Sequence, residues 1–494
     1  MPSDKPNILL IMTDQQRADF LGSQGFGIDT MPFLDGLSSR GVWFDRAYTS
    51  MPICIPTRVS MLTGRFAKAH GMIGNWNPIE ARYARDLPGV LREAGYELAL
   101  FGKNHSHAGE DDFDVWRPYM HTKGLPRKGS EVEDVAFDRW LVDLAHWTSD
   151  APTPFPLDAQ YPVRITSEAV DWVREGRQRP FFAWVSFPEP HSPYQVPEPY
   201  FDFFPPDAVA PPAAGPEALA DKNHQWRYQY ETIKHYHPDC DHEWGRYRSN
   251  YCGMLRLIDD QLERLVGALV EQDLLANTLV IYVSDHGEFC GDYDLYRKGL
   301  ALPQCAIRIP MGWYGGPVSP HSGPHPAHVS ITDIFPTLCE AIGTEIPKGV
   351  QGRSLWPLLT GGDYSEREFS SAFAEHGIGG RLLTPDEVAV GHEAETVHID
   401  GVARTNLDGT RVVTSGYRRT IVRNRWKLVY DTDLPLEIYD IEEDPHELRN
   451  LATEVDPNVK AELLEELAYW TTRLDDNLDV RRYGPSPGLH NWHR

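Results

Sequence analysis

Three segments of the chain are almost continuously apolar, and each gives way abruptly to polar residues. They are Asn7–Thr13, 181–187 and Thr278–Ser284. A continuous apolar run is typical of a strand buried on both faces of a parallel sheet, whereas a half-exposed strand alternates between apolar and polar residues. Asp14 follows the first segment and Asp285 follows the third. Since ligands bind at the carboxyl ends of strands in open α/β sheets, we expect these acidic residues to face one crevice.

The length and the charge of the chain limit its fold and its partners. A chain of 494 residues is too long for one small core, so we predict a large α/β domain at 1–365 and a smaller subdomain at 366–494. The net charge is −25, and such an acidic surface repels nucleic acids and anionic membranes. An anionic substrate would therefore need a local cationic pocket.

The N-terminal sequence and the cysteines favour a cytoplasmic protein. The first apolar run is short and lacks a small-residue cleavage site, so it is typical of a strand and not of a signal peptide. No segment reaches the roughly 18 apolar residues that cross a membrane. The six cysteines follow no disulfide spacing, and we interpret them as mainly reduced thiols.

Periodicity and capping residues predict further elements. Apolar residues recur every three or four positions at 247–269, which predicts a long amphipathic helix against the sheet. Residues 109–162 and 194–244 show no period, and we interpret them as irregular segments near the site. The predicted elements of the C-terminal subdomain are antiparallel strands at 421–422, 427–430 and 437–439 and a helix at 456–474. The tail from Asp479 could reach over a neighbouring subunit, so a homo-oligomer is left open.

Residues 52–65, with the sequence PICIPTRVSMLTGR, place a cysteine close to a predicted helix start. Pro56 suits the first position of a helix, and Gly64 can end it. Cys54 would then lie just before the helix N-terminus, where the backbone dipole favours negative charge, and Arg58 adds a positive charge. These features suit an anion or a group that becomes anionic. Local chemistry alone leaves two alternatives, a small buried apolar cysteine and a thiolate nucleophile of low pKa.

Several other polar residues follow predicted strands or lie on stiff loops. Lys103 and His105 are two apart after a predicted strand, so their side chains point roughly the same way. His191 lies in a proline-rich loop after another strand, where functional residues concentrate. Taken singly, each could equally be a solvated residue of a strand end. The weaker candidates are Asn75 in a glycine-rich loop and Lys298 in a basic turn.

Residues 235–242, with the sequence HYHPDCDH, are dense in potential zinc ligands. Their spacing matches no closed four-ligand zinc pattern. We therefore interpret this segment as a surface or pocket-lining loop.

In combination, these motifs resemble those of the formylglycine-dependent sulfatases of the alkaline phosphatase superfamily. Cys-x-Pro-x-Arg at Cys54, followed by Leu-Thr-Gly-Arg, is similar to the signature in which the cysteine is oxidised to formylglycine. Thr57 stands where Ser is usual. Gly-Lys-x-His at Lys103, Pro-His-x-Pro at His191 and Ser-Asp-x-Gly-Glu at Asp285 follow in the family order. The resemblance implies a large, mixed, mainly parallel central sheet flanked by helices, with a small antiparallel sheet in the C-terminal subdomain.

The resemblance also implies a site for one divalent metal ion, Ca²⁺ or alternatively Mn²⁺. The implied ligands are Asp14, Gln15, modified Cys54, Asp285 and His286. Carboxylate and amide oxygens with one imidazole suit such an ion. The commonest sulfatases have Asp and Asn at the positions of Gln15 and His286. Gln and His are similar to the phosphonate monoester hydrolase branch of the same superfamily.

The implied chemistry is attack by the hydrated aldehyde of modified Cys54 on the sulfur of a sulfate ester. The residues implied in catalysis are Cys54, Arg58, Lys103, His105, His191 and Lys298, and those implied in substrate binding are Asn75, Lys103, His191 and Lys298. The cations offset charge on the sulfate oxygens. His191 or Lys298 could protonate the leaving oxygen, and His105 could take the proton that lets the aldehyde reform.

Three hypotheses for the function follow. The first is a hydrolase of small-molecule sulfate esters that needs a formylglycine-generating enzyme for its maturation, and Lys103 with His105 favours it. The second is a phosphonate monoester or phosphodiester hydrolase, which Gln15 and His286 favour. The third is a metal-binding protein without catalysis, in which Cys54 stays unmodified.

Overall fold

The fold is taken from a computed structural model, which describes residues 5–75, 78–298, 301–379, 396–399, 402–405 and 416–474. The predicted tail from Asp479 lies outside these residues. The strands, numbered in chain order, are β1 (Asn7–Thr13), β2 (Val42–Trp43), β3 (Ala47–Tyr48), β4 (Glu97–Lys103), β5 (Val115–Tyr119), β6 (Phe181–Ser186), β7 (Thr278–Ser284), β8 (Met311–Tyr314), β9 (Val329–Ser330), β10 (Ala372–Gly379), β11 (Thr396–Ile399), β12 (Val402–Thr405), β13 (Gly416–Arg423), β14 (Trp426–Asp431) and β15 (Glu437–Asp440).

The described helices are distributed along the whole chain. They are α1 (Pro32–Ser38), α2 (Cys54–Thr63), α3 (Ala67–His70), α4 (Leu87–Glu93), α5 (Glu131–Asp143), α6 (Tyr161–Arg174), α7 (Tyr200–Phe203), α8 (His224–Tyr236), α9 (Cys240–Glu271), α10 (Gln304–Ile307), α11 (Ile334–Ala341), α12 (Trp356–Thr360) and α13 (Pro457–Leu474). Short 3-10 turns connect several of them.

The central sheet has seven strands in the order β2-β8-β7-β1-β6-β4-β5. Strand β1 pairs in parallel with β6 and β7, and β4 pairs in parallel with β5 and β6. Strand β8 runs antiparallel to both β7 and β2. The sheet is therefore mixed and mainly parallel, which confirms the predicted fold class.

The apolar run of β1 is continuous because both faces of the sheet are covered. Leu9 and Ile11 pack in the core on one face, and Ile8, Leu10 and Met12 pack in the core on the other. Helices α1, α6 and α9 cover the first face, and α2, α4 and α11 cover the second. The predicted amphipathic helix at 247–269 is confirmed as part of α9.

A smaller antiparallel sheet, in the order β10-β13-β14-β15, lies within the predicted C-terminal subdomain. Leu463, Leu467 and Trp470 of α13 pack on it together with Phe373 of β10 and with Phe66, which follows α2. The three predicted strands and the helix of this subdomain are confirmed, whereas β10 was not predicted. The boundary between 365 and 366 stays a prediction.

Two segments that we interpreted as irregular contain regular structure. Strand β5 and helix α5 lie within 109–162, and helix α8 and the start of α9 lie within 194–244. On α5 only Asp134, Phe137 and Leu141 are buried. The apolar face of this helix is too narrow to give a clear period. Among the described residues, no helix is long and apolar enough to span a membrane.

A glycine in β4 allows close contact with the neighbouring strand. Gly102 has φ +105°, and a Cβ atom there would lie 1.9 Å from the carbonyl oxygen of Ser186 in β6. Gly95 has φ +87°, but a Cβ atom there would meet nothing within 4 Å. A side chain at Gly95 would therefore cause backbone strain alone, whereas a side chain at Gly102 would cause backbone strain and steric overlap.

We expect Gly102→Ala to lower the free energy of unfolding far more than the control Gly95→Ala. A side chain at positive φ costs about 1–2 kcal/mol at either position, and overpacking adds about 1–3 kcal/mol at Gly102 alone. Urea unfolding of both variants measures the difference. Equal losses in the two variants would contradict the close contact between β4 and β6.

Candidate active site

Strand register brings the polar residues together. Thr13 pairs with Ser284 between β1 and β7, so Asp14 and Asp285, the next residue of each strand, lie side by side. Lys103 pairs with Tyr119 between β4 and β5. The carboxyl ends of the five neighbouring parallel strands β7, β1, β6, β4 and β5 thus meet at one edge of the sheet, as the sequence predicts for this fold class.

Helix α2 points its N-terminus at this edge. The helix begins at Cys54 and not at Pro56 as predicted, so Cys54 is itself the first helical residue. Gly64, with φ +63°, ends the helix as predicted. The backbone N–H of Ile55 donates to Oδ1 of Asn75 at 3.0 Å. Asn75 therefore satisfies one of the amides at the helix start, beside the cysteine.

Arg58 is completely buried and binds both carboxylates. Its Nε donates to Oδ2 of Asp285 at 2.9 Å, and its Nη2 donates to Oδ2 of Asp14 at 3.2 Å. Its Nη1 donates to the carbonyl oxygen of Lys103 at 2.8 Å and to Oγ of Ser186 at 2.9 Å. One guanidinium group thus connects α2 to the ends of β1, β4, β6 and β7.

The charges around Cys54 stabilise its thiolate. Its Sγ lies 3.1 Å from Nζ of Lys298, 3.3 Å from Nε2 of His286 and 3.8 Å from Oδ1 of Asp14. Burial and the Asp14 carboxylate oppose ionisation, but Lys103, Lys298 and His286 outweigh them, so the pKa of Cys54 lies well below its usual value. This position suits a group that carries negative charge.

Four side chains present potential metal-ligand atoms to one point. The ligand atoms of Asp14, Cys54, Asp285 and His286 all lie within 4.8 Å of one another, and all four residues are buried. Burial opposes ionisation of Asp14, yet Lys103, His191, Lys298 and Arg58 hold the pKa of its carboxyl well below its usual value. This buried group could hold a metal ion.

The orientation of His286 fits a metal ligand. Its Nδ1 donates to the carbonyl oxygen of Gly287 at 2.8 Å, so loss of the other ring proton would leave a lone pair on Nε2 for a metal ion. That Nε2 atom faces Cys54 and the carboxylates. A backbone carbonyl on the other ring nitrogen is the usual outer contact of a metal-binding histidine.

The orientation of Gln15 fits a metal ligand as well. Its Nε2 donates to Oε2 of Glu288 at 2.7 Å and to the hydroxyl of Tyr194 at 2.9 Å. These contacts fix which end of the amide is the oxygen, and Oε1 accepts from Nζ of Lys298 at 3.0 Å. Because Lys298 also contacts Cys54, Oε1 of Gln15 is directed towards the cysteine side of the site.

Glu288 holds the side chain of Gln15 and is not among the predicted site residues. Its carboxylate is fully buried and accepts from the hydroxyl groups of Tyr194 at 2.5 Å and Tyr247 at 3.0 Å, besides Gln15. Burial raises the pKa of Glu288. Its place in the Ser-Asp-x-Gly-Glu motif was a signal, but the motif does not show that Glu288 orients Gln15.

Three histidines lie beside Lys103, and one of them was not predicted. His121 follows β5, and its ring stacks on His191 with centroids 3.7 Å apart and lies 5.5 Å from the ring of His105. Burial lowers the pKa of His105 to about 4, although this side chain hydrogen-bonds with Cys54. His121 lies in the segment that we interpreted as irregular, and no motif signals it.

The histidine- and aspartate-rich segment at 235–242 lies at the junction of α8 and α9. His237 stacks on Trp147 at 3.9 Å between ring centroids. In the part of the chain that the structure describes, the group around Asp14 is the one cluster of such ligands. The observed contact of His237 is therefore this stacking on Trp147.

Comparison with known proteins decides the family. Residues 6–344 match the family model described as Sulfatase. The chain belongs to the sulfatase family. An arylsulfatase of Clostridium perfringens is 30% identical over 401 residues, which cover 76% of this chain and 82% of that protein. The family predicted from the motifs is therefore confirmed, and this sulfatase is by class a sulfuric ester hydrolase.

Two further relatives extend over nearly the whole chain. The multifunctional alkaline phosphatase superfamily protein PehA of Trinickia caryophylli is 26% identical over 509 residues, covering 91% of this chain and 91% of that protein. The crystal structure of a phosphonate monoester hydrolase of Agrobacterium radiobacter has a TM-score of 0.73 at 25% identity and covers 96% of each chain. The sulfatase therefore has both sulfatases and phosphonate monoester hydrolases among its neighbours.

The contact between Gln15 and Glu288 can be tested by exchanging their groups. In Gln15→Glu a second carboxylate oxygen would replace the amide that donates to Glu288, and we expect a loss of about 3 kcal/mol in the free energy of unfolding. Adding Glu288→Gln restores a donor between the two side chains, so the double variant should recover to within about 1 kcal/mol of the parent. Urea unfolding at neutral pH measures the parent, Gln15→Glu and the double variant. A Gln15→Glu variant as stable as the parent would contradict this contact.

Proposed function

We propose that this sulfatase hydrolyses sulfate monoesters with a formylglycine nucleophile made from Cys54. The observation that carries the proposal is the pair of lysines around this residue. Lys298 lies 3.1 Å from the Cys54 sulfur, and buried Lys103 contacts Asp14. The sulfur atom stands in here for an oxygen of the modified residue. In a chain of net charge −25, two lysines at one nucleophile provide the local cationic pocket that an anionic ester needs.

One divalent cation would be held by Asp14, Gln15, Asp285, His286 and the modified Cys54. All donors but the imidazole would be oxygen atoms, which favours Ca²⁺, and the imidazole makes Mn²⁺ the alternative. When bound, the cation lowers the pKa of a coordinated hydroxyl group and orients it. The orientations of Gln15 and His286 support this ligand set.

The modified Cys54 would supply two hydroxyl groups as the hydrate of its aldehyde. One hydroxyl loses its proton and attacks the sulfur, the bond from sulfur to the ester oxygen breaks, and the alcohol leaves with a proton from the site. Loss of the proton of the other hydroxyl then lets the aldehyde reform as the C–O bond to sulfate breaks and sulfate leaves. His105 is suited to accept that proton, because burial lowers its pKa to about 4 and keeps the ring neutral near pH 7. A formylglycine-generating enzyme would be needed during maturation.

The basic side chains around the substrate have different roles. Burial lowers the pKa of His191 well below its usual value, which favours Lys298 over His191 as the donor to the leaving oxygen. Lys103 and Lys298 would bind the non-bridging oxygens, with Asn75 at the helix start beside them. Every nitrogen of Arg58 already has a protein acceptor, so Arg58 would act by holding Asp14 and Asp285 in place.

Phosphonate monoester hydrolysis is the second candidate function. Gln15 and His286 favour it, because they are the residues in which this chain resembles the phosphonate monoester hydrolases. Lys103 and His105 favour sulfate esters, because they form the Gly-Lys-x-His motif in which this chain resembles the sulfatases. The two candidates share the nucleophile and differ in the atom that it attacks.

The decisive experiment compares kcat/KM for an aryl sulfate and for an aryl phosphonate. We expect the parent to prefer the sulfate. Lys103→Ala should lower kcat/KM for the sulfate by about a hundredfold, since one lost charge-stabilising donor costs about that much, and should lower the phosphonate rate less. Lys460→Ala on α13 is the matched control and should change neither rate. A large preference of the parent for the phosphonate would contradict sulfate monoester hydrolysis as the function.

Removal of divalent cations should abolish activity and lower the melting temperature, because Asp14 and Asp285 would then lie side by side without the cation that offsets their repulsion. We expect Ca²⁺ to restore both properties, with Mn²⁺ as the comparison. Differential scanning fluorimetry and activity assays after exhaustive chelation measure the effect. Full activity in a sample that elemental analysis shows to be metal-free would rule out the metal-dependent site.

A further inference from the structure

His121 makes two contacts with residues that the proposed function assigns to the substrate. Its Nε2 lies 2.8 Å from Nζ of Lys103, and its ring stacks on His191 with centroids 3.7 Å apart and an angle of 25° between the planes. It reaches this position because β5 ends at Tyr119, in register with Lys103 at the end of β4. His105 also faces the ring, at 5.5 Å.

The contact with Lys103 fixes the tautomer of His121. An ammonium group can only donate, so Nε2 must accept and the ring proton is on Nδ1. Nδ1 is buried and has no hydrogen-bond partner among the described residues. A buried N–H group without a partner reduces stability, and histidines with purely structural roles usually pair it. The ring is therefore oriented so that Nε2 accepts from Lys103, although this leaves the N–H group at Nδ1 without a partner among the described residues.

The same contact determines where Lys103 can donate. Its ammonium group carries three N–H bonds. One is directed to Oδ2 of Asp14 and one to Nε2 of His121. The third is left for another acceptor, and its direction is fixed by the other two. Without His121, the ammonium group could rotate about its contact with Asp14 and lose this direction.

We propose that His121 is a positioning residue that directs one N–H bond of Lys103 to an oxygen of the bound sulfate group. This inference rests on the proposed function. It requires no proton transfer by His121, only an acceptor at the place of Nε2. The stacked ring of His191 lies on its other side and limits its movement.

The test uses two amides that differ in reach. In His121→Gln the side-chain oxygen can take the place of Nε2, whereas in His121→Asn it is one carbon atom too short. Both variants lose the stacked ring, so a merely structural role predicts the same loss in both. The full chain is assayed with its metal on an aryl sulfate, and binding of inorganic sulfate is measured by calorimetry.

We expect the Gln variant to keep kcat/KM within about threefold of the parent and the Asn variant to lose about tenfold or more, because a hydrogen bond to a charged group contributes about that factor. The Kd of inorganic sulfate should rise only in the Asn variant. In a Lys103→Ala background, adding His121→Asn should change kcat/KM by less than about threefold, since the two residues act together.

Equal losses in the Gln and Asn variants, an Asn variant with parental kcat/KM, or a further tenfold loss in the Lys103→Ala background would each overturn the role of His121. Melting temperatures show whether both variants fold. If the parent hydrolyses only the aryl phosphonate, the same comparison is made on that substrate, and the proposed sulfate activity alone is wrong. If the parent hydrolyses neither ester, the proposed function fails, and the Kd of inorganic sulfate still decides the role of His121.

Discussion

The buried ion pairs of Arg58 are the interaction on which the rest of the site depends. Two carboxylates, Asp14 and Asp285, lie side by side at the ends of neighbouring strands and are fully buried. Alone they would repel one another in a medium of low dielectric constant. Arg58 donates to both and also to the carbonyl group of Lys103, so it connects helix α2 to the sheet. The same residue thereby places Cys54, one turn earlier on the helix, at this edge.

Much of this arrangement could be predicted from short segments of sequence. The apolar runs of β1, β6 and β7 indicate buried parallel strands, and parallel strands place their carboxyl ends at one edge. Asp14 and Asp285 directly follow such runs, and Lys103 ends β4, so their approach depends only on strand order and register. Family resemblance added what local chemistry left open, namely that a cysteine near a helix start belongs to the same site.

Other features depend on contacts between segments that are far apart in sequence. Whether Gln15 presents oxygen or nitrogen to the site is decided by Glu288 and Tyr194, which no local pattern connects to it. His121 reaches Lys103 only because β5 pairs with β4, and β5 lies in a stretch without periodicity. Helix α2 begins two residues before the predicted start at Pro56, because proline is tolerated throughout the first turn of a helix and not only at its first position.

The proposed chemistry depends on Cys54 acting as formylglycine. The most direct test is the mass of the peptide that carries Cys54, measured after expression together with a formylglycine-generating enzyme and compared with the activity of the same sample. We expect that an aldehyde or its hydrate replaces the thiol and that the converted fraction parallels the activity. A fully active protein in which this peptide keeps the mass of an unmodified cysteine would contradict it.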